Sequence, residues 1–176
     1  MRLTVEQNAI FPNVDEARVA EFHAEPCFNK AGARLNSSPG NIEGHTVSCT
    51  GSQFCGLGMV ETKINAERIS RLLEERVTVP KKVRIHWTGC PNSCGQVQCA
   101  DIGLMGSPAK KFNEETQKNM AVPGVKIFVG GTIGEWGKLS MDPVKTIIME
   151  DEIVLEELVG ICVEKFGGVR KTPVPA

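Results

Sequence analysis

His86-Trp87-Thr88-Gly89-Cys90-Pro91-Asn92-Ser93-Cys94-Gly95 sets two cysteines four positions apart on a turn rich in Gly, Pro and Asn. The turn follows directly on Val83–Trp87, which reads as a strand. A second pair lies upstream in Ser48-Cys49-Thr50-Gly51-Ser52-Gln53-Phe54-Cys55-Gly56. The pattern is Cys-x5-Cys, a gap of 34 residues, then Cys-x3-Cys. Four thiolates on two turns suit a tetrahedral metal or an iron–sulfur cluster. The Cys90/Cys94 spacing meets the needs of structural zinc, but Cys49/Cys55 is wide for a zinc knuckle. A third reading makes all four ordinary buried thiols. Against it stand the small residues around both pairs (Gly51, Ser52, Gly56, Gly58, Gly89, Ser93 and Gly95), which let backbone amides approach sulfur. On spacing a cubane cluster is the better match, with zinc still open. Cys99 reads as a spare thiol on an exit strand, Cys27 as a lone thiol and Cys162 as a core residue.

The remaining composition narrows the class. The chain has 176 residues, 41% of them hydrophobic and 23% charged, with a formal net charge of -1. That is material for one ordinary core, or for one domain carrying a fragment of another. A balance so near zero gives no reason to expect nucleic acid as a partner. No apolar run approaches the roughly 18 residues that a membrane span requires. Seven cysteines is an odd number, which fits a reducing compartment better than a disulfide framework.

Working outward from the cysteines, Leu3–Ile10 reads as a strand that starts almost at once, the signature of a piece cut from a larger protein. Val14–Glu25 reads as a short helix, capped by Asn13 or Asp15 and stopped by Pro26. Residues 27–44 read as a loop or linker. Thr46–Cys49 is a brief extended piece, and Phe54–Val77 is predicted to be the longest helix, with Leu57, Val60, Ile64, Ile69, Leu72 and Leu73 buried. Gly56 and Gly58 would cost that helix about 1 kcal/mol each relative to Ala. A short strand is expected around Asp101–Gly106, an exposed loop or hairpin over Ser107–Pro123, and a strand at Val125–Val129. The last helix should run from near Glu150 to Phe166, ended by Gly167-Gly168, with Ile153, Leu155, Leu158, Val159, Ile161, Cys162 and Phe166 mostly buried. Strands and helices alternate after residue 45, so the class is α/β or α+β.

The residues flanking the cysteines carry more than spacing. Cys49-Thr50-Gly51-Ser52-Gln53-Phe54-Cys55, Glu61-Thr62-Lys63, His86 through Gln98 and Ala100-Asp101-Ile102-Gly103 through Gly106 closely resemble the assimilatory ferredoxin-dependent nitrite reductases. These belong to the sirohaem and 4Fe-4S nitrite/sulfite reductase family. Arg2–Asn8 with Pro12-Asn13-Val14 is similar to the segment that ends the family's second ferredoxin-like half-domain. The resemblance runs from residue 2 to about 137 and resumes in the final helix.

That resemblance implies an α+β fold, a mixed sheet with flanking helices. Residues 1–44 would form the end of a ferredoxin-like half-domain plus linker, and residues 45–176 the sirohaem and 4Fe-4S binding domain. It also implies that Cys49, Cys55, Cys90 and Cys94 hold the cluster, and that the Cys94 sulfur is the axial ligand of sirohaem iron as well. Arg2, Gln7, Asn8, Asn92 and Gln96 would line or hydrogen-bond the cofactor. The implied activity is the six-electron reduction of nitrite to ammonium, with reduced ferredoxin as donor and Lys81, Lys82, Lys110 and Lys111 as candidate docking charges. The Thr-Gly-x-Gln-Phe-Cys form, Glu61-Thr62-Lys63, Trp87 and Gln96-Val97-Gln98 favour nitrite over sulfite. A cluster-bearing electron-transfer module without its own catalysis is the rival of a different class.

Two departures stand out. Thr132 occupies a place that is basic in the family, and Ser107–Pro123 lacks a basic run found there. Family enzymes are also much longer, and their missing N-terminal half supplies the cations that grip the anion. The fragment is therefore expected to be catalytically incomplete, with no catalytic residue beyond its cofactor ligands. The complete enzyme would be a monomer, in a chloroplast or in the cytoplasm of a cyanobacterium or other bacterium.

Overall fold

The computed structural model describes residues 1–29 and 35–172, with Asn29 by its backbone alone. They divide into two units, Met1–Gly40 and the chain from Asn41 onward.

In the first unit, β1 (Arg2–Leu3) and β2 (Ala9–Ile10) pair antiparallel, Arg2 opposite Ile10. The single strand expected over Leu3–Ile10 is thus a hairpin. Its turn is closed by Asn8 N–H donating to the Thr4 hydroxyl at 3.1 Å, and Gln7 takes a left-handed φ of 60° to reverse the chain. The helix expected over Val14–Glu25 is also shorter. A 3-10 turn at Glu16–Arg18, capped by Asp15 through the Ala17 amide, leads into α1 (Val19–His23). Pro26 does not stop helical structure but opens α2 (Pro26–Asn29), where its missing N–H is no loss. Phe22 stacks at a tilt against both Phe11 and Phe28, with ring centroids 5.1 and 5.2 Å apart, giving this unit its small apolar centre.

The second unit contains β3 (Thr46–Ser48), α3 (Lys63–Arg76), β4 (Val77–Thr78), β5 (Ile85–Thr88), β6 (Ile102–Asn113), β7 (Lys118–Val129), β8 (Lys145–Ile148), α4 (Asp151–Phe166) and β9 (Val169–Arg170). Five strands form one mixed sheet in the order β3-β5-β6-β7-β8. β3, β5 and β6 run parallel, while β7 and β8 are antiparallel to their neighbours. A parallel neighbour requires a crossover, and α3 lies in the connection from β3 to β5. β4 and β9 make a separate two-stranded ribbon that joins the ends of the two helices.

Alternation along β6 places Ile102 and Leu104 on one face and Gly103 and Met105 on the other. The first face meets Ile69 and Leu73 of α3 and Val154, Leu155, Leu158, Val159 and Cys162 of α4, together with Ile85, Trp87, Val125 and Ile127. The second face holds a smaller cluster of Met105, Phe128 and Val97. Val97–Cys99 is a 3-10 turn rather than the exit strand expected there.

The start of the long helix, strand β8 and the buried face of α4 differ from expectation. The long helix starts at Lys63, not Phe54, and Leu57 and Ile64 are exposed. The Ser107–Pro123 excursion takes the hairpin form, one of the two expected, with strands that continue β6 and β7 and Pro108 facing Pro123. Alternate pairs of an antiparallel ladder exchange no N–H bonds, which is where two facing prolines can sit. Strand β8 was not expected at all: four residues following a proline give little periodic signal. In α4, Ile153 is exposed and Val154 takes the buried place.

Candidate functional site

Because β3 and β5 are parallel with Ser48 opposite Trp87, both cysteine loops leave the sheet at the same end. Carboxyl ends of parallel strands are where open α/β sheets place their ligands. The Cys49 amide donates to Trp87 O at 3.0 Å, and the Gly89 amide donates back to the Cys49 sulfur at 3.2 Å. The return of the first loop is held to the second by the Met59 amide on Gly89 O at 2.7 Å.

Glycine makes this stacking possible. A Cβ on Gly89 would sit 3.1 Å from Val60 O and 3.5 Å from the Gly51 Cα, and one on Gly106 only 2.3 Å from Gly89 O. Gly58 is similarly tight, its Cβ position 2.7 Å from the Ser52 amide nitrogen. The glycines read from sequence as a burden on a helix are therefore loop residues, and Gly58 pays for no helix at all because none forms there.

The start of α3 clamps the first loop. Thr62, fully buried, donates from its hydroxyl to Cys49 O at 2.7 Å. Glu61 accepts from the Gln53 amide at 3.2 Å, and the Lys63 ammonium donates to Ser48 O at 3.0 Å. Sequence reasoning marked these three residues only through resemblance; their spacing had shown no contact with the cysteines.

The second loop is built differently. The Ser93 amide donates to Cys90 O at 3.2 Å and the Gln96 amide to Ser93 O at 2.8 Å, with Ser93 and Gln96 both left-handed. The Ser93 hydroxyl donates to Gln98 Oε1 at 2.6 Å. Buried His86 places Nδ1 2.8 Å from Gly95 O, anchoring the turn just after Cys94. A Cβ on Gly95 would lie 2.1 Å from Trp87 O, so the loop lies flat against its own strand. Asp101 pairs with buried Arg84, whose Nε stands 3.1 Å from Asp101 Oδ2.

All four cysteines are free thiols: Cys90 is buried, Cys49 and Cys55 are half-buried, and Cys94 is exposed. Burial works against the Cys49 thiolate, but the Gly89 amide, the Thr62 hydroxyl and the Gly51 amide outweigh it and lower its pKa. The Thr88 hydroxyl contributes last, without forming a hydrogen bond of ordinary geometry. Among the described residues no three His, Cys, Asp or Glu side chains are gathered closely enough to hold a metal ion. The loops are thus brought together through backbone and Cys49, while the four sulfurs are not drawn to one point. Donor chemistry nonetheless fits a thiolate-bound group: four free thiols, two stacked glycine-rich loops and an amide aimed at sulfur.

The other expected site residues fall in two places. Asn92 and Gln96 are exposed on the second loop. Arg2, Gln7 and Asn8 belong to the hairpin of the first unit, and Cys27 is exposed there in α2. Cys99 donates its thiol proton to Gln96 O at 3.1 Å, and Cys162 is buried in α4.

Residues 42–172 match the model of the nitrite and sulphite reductase 4Fe-4S domain. The chain is 43% identical over 171 residues to a chloroplastic ferredoxin–nitrite reductase of Zea mays, covering 97% of this chain and 28% of that protein. It is 42% identical to the ferredoxin–nitrite reductase of Synechococcus elongatus, covering 98% of this chain and 31% of that protein. The chain thus spans less than a third of the length of these relatives. The solved structure of the Mycobacterium tuberculosis NirA protein superposes with a TM-score of 0.64 at 22% identity, over 84% of this chain and 25% of that one, a likeness of fold. With the match covering the sheet, both helices and both cysteine loops, the chain belongs to the nitrite and sulphite reductase 4Fe-4S domain family.

Proposed function

We propose that this chain is the cluster and sirohaem portion of a ferredoxin-dependent nitrite reductase, an enzyme that reduces nitrite to ammonium with six electrons. The observation that carries the reading is the junction of the two loops, where the Gly89 amide of one meets the Cys49 sulfur of the other at 3.2 Å. Cys49, Cys55, Cys90 and Cys94 would hold a 4Fe-4S cluster, and the Cys94 sulfur would also hold sirohaem. The exposure of Cys94 supports that second role, since its sulfur is open to a large group from outside the domain. When bound, these groups supply one-electron transfer and an iron on which nitrite is reduced. The chain's own residues orient them. Thr62, Glu61 and Lys63 fix the first loop, and His86 and Ser93 fix the second. Asn92 and Gln96, exposed on the second loop, would contact the macrocycle.

Nitrite is favoured over sulfite because the relatives that match at 43% and 42% identity are both ferredoxin–nitrite reductases. Chloroplast and bacterial compartments both fit, since relatives come from plants, cyanobacteria and the archaeon Haloferax mediterranei. The domain boundary near residue 44 is part of the same reading, the N-terminal hairpin unit being the end of a ferredoxin-like half. Substrate-gripping cations would come from the remainder of such an enzyme, so this chain alone should not turn over nitrite. Anaerobic reconstitution with iron, sulfide and sirohaem tests the assignment. Optical and paramagnetic spectra should show a cluster magnetically coupled to sirohaem, and Cys94→Ser should abolish the coupling. Full coupling in Cys94→Ser, or a single bound zinc with no visible absorption in the wild type, would contradict it.

A further inference from the structure

Thr88 is 1% exposed, and its hydroxyl is the buried side-chain nitrogen or oxygen that lacks a hydrogen-bond partner among the described residues. An unpaired buried hydroxyl is destabilising, and valine would fill the same space without that penalty. Its surroundings suggest why a hydroxyl stands there. Thr88 ends β5, and its neighbour Gly89 donates to the Cys49 sulfur. On another side lies Gly95, where a Cβ would come within 3.4 Å of the Thr88 Cβ. The residue therefore lies at the strand end beside Cys49, Ser48 being opposite Trp87, and against the backbone that follows Cys94. Thr62 also faces the Cys49 sulfur, at 3.7 Å, but its proton is committed to Cys49 O at 2.7 Å. Thr88 carries the uncommitted hydroxyl at this sulfur.

We propose that Thr88 is a positioning residue whose hydroxyl donates to the Cys49 sulfur when that sulfur is a metal-bound thiolate, raising the reduction potential of the group so held. The inference rests on the reading of Cys49 as a ligand. A metal-bound thiolate accepts hydrogen bonds that a neutral thiol takes only weakly, so the orphaned proton gains its acceptor on loading. Donors to ligand sulfur stabilise the more negative, reduced state, which moves the potential upward.

The test is potentiometric titration of the anaerobically reconstituted full chain, with iron content measured alongside. Thr88→Val, of nearly the same shape, should keep the cluster but titrate at a more negative potential, and Thr88→Ser should restore the wild-type value. A Thr88→Val protein that holds the cluster at the wild-type potential overturns the inference. Should valine prevent loading, Thr88→Ala takes its place. Loss of the cluster in both with retention in Thr88→Ser supports the hydroxyl, whereas loss in all three makes the role one of packing and overturns it. A wild-type chain that takes up no cluster fails before any variant is compared, and that outcome sinks the ligand reading together with this one.

Discussion

Cys49 and Cys162 have the same side chain, and their surroundings drive the two thiols in opposite directions. Cys162 lies among Leu158, Val159 and the sheet, and burial, helped by the charge of Glu74, pushes its pKa up to about 12. Cys49 is lowered, because the Gly89 amide and Thr62 more than offset its partial burial. Reactivity follows the thiolate. Brief alkylation of the folded, metal-free chain at neutral pH, mapped by mass spectrometry, should therefore label Cys49 and spare Cys162. The raised value also carries a stability consequence. A thiol that stays protonated in the folded chain but ionises at its ordinary value of 9.0 once unfolded favours unfolding as pH rises. Its contribution is complete below pH 9 and is lost progressively toward about pH 12, on the order of 4 kcal/mol in all. Urea titrations across that range should show stability falling more steeply for the wild type than for Cys162→Ala. At this scale the sequence was informative about identity and silent about environment. The four cysteines stood out by spacing, but nothing in a linear reading sets Gly89 against a sulfur 40 positions away.

At the scale of elements, the instructive case is the stretch from Phe54 to Thr62. Its apolar residues fall at helical intervals, yet its backbone is engaged elsewhere: Val60 O accepts from the Ser52 amide, and the Met59 amide donates to Gly89 O. Tertiary pairing overrides a periodic pattern that glycines had already weakened. Strands β5 and β7, by contrast, were legible because Val83–Trp87 and Val125–Val129 are short, mostly apolar stretches bounded by turn residues. Glycines in and beneath the two loops should differ sharply in tolerance. Gly106→Ala sets a Cβ 2.3 Å from Gly89 O, and is expected to lower stability by about 1–3 kcal/mol. Gly56→Ala meets nothing within 4 Å and should match the wild type in the same urea titration. Thr62→Val removes the donor to Cys49 O and should lower stability by about 1–3 kcal/mol while loosening the first loop, visible as faster amide exchange at Cys55.

For the whole molecule, the core lies between one sheet face and two helices, and the cysteine loops are carried on the end of that sheet. The apolar stripe of α4 announced this face, although Val154 rather than Ile153 is buried. Strand order and the edge strand β8 were not legible, since neighbours in a mixed sheet are chosen by crossover connections and not by local pattern. Leu158→Ala, at a position with no exposure, should cost about 2–5 kcal/mol in chemical denaturation. Cluster uptake by this variant should survive under native conditions, because the loops rest on β3 and β5 rather than on α4. The central claim is that two loops 34 residues apart build one metal centre. Its most direct test is Mössbauer spectroscopy with iron and sulfide analysis on the anaerobically reconstituted chain and its single Cys→Ser variants. The account predicts a cubane cluster in the wild type and in Cys27→Ser, lost or broken down in Cys49→Ser and in Cys90→Ser alike. A cluster that persists intact when either loop has lost its cysteine, or a wild type that binds no iron, would contradict it.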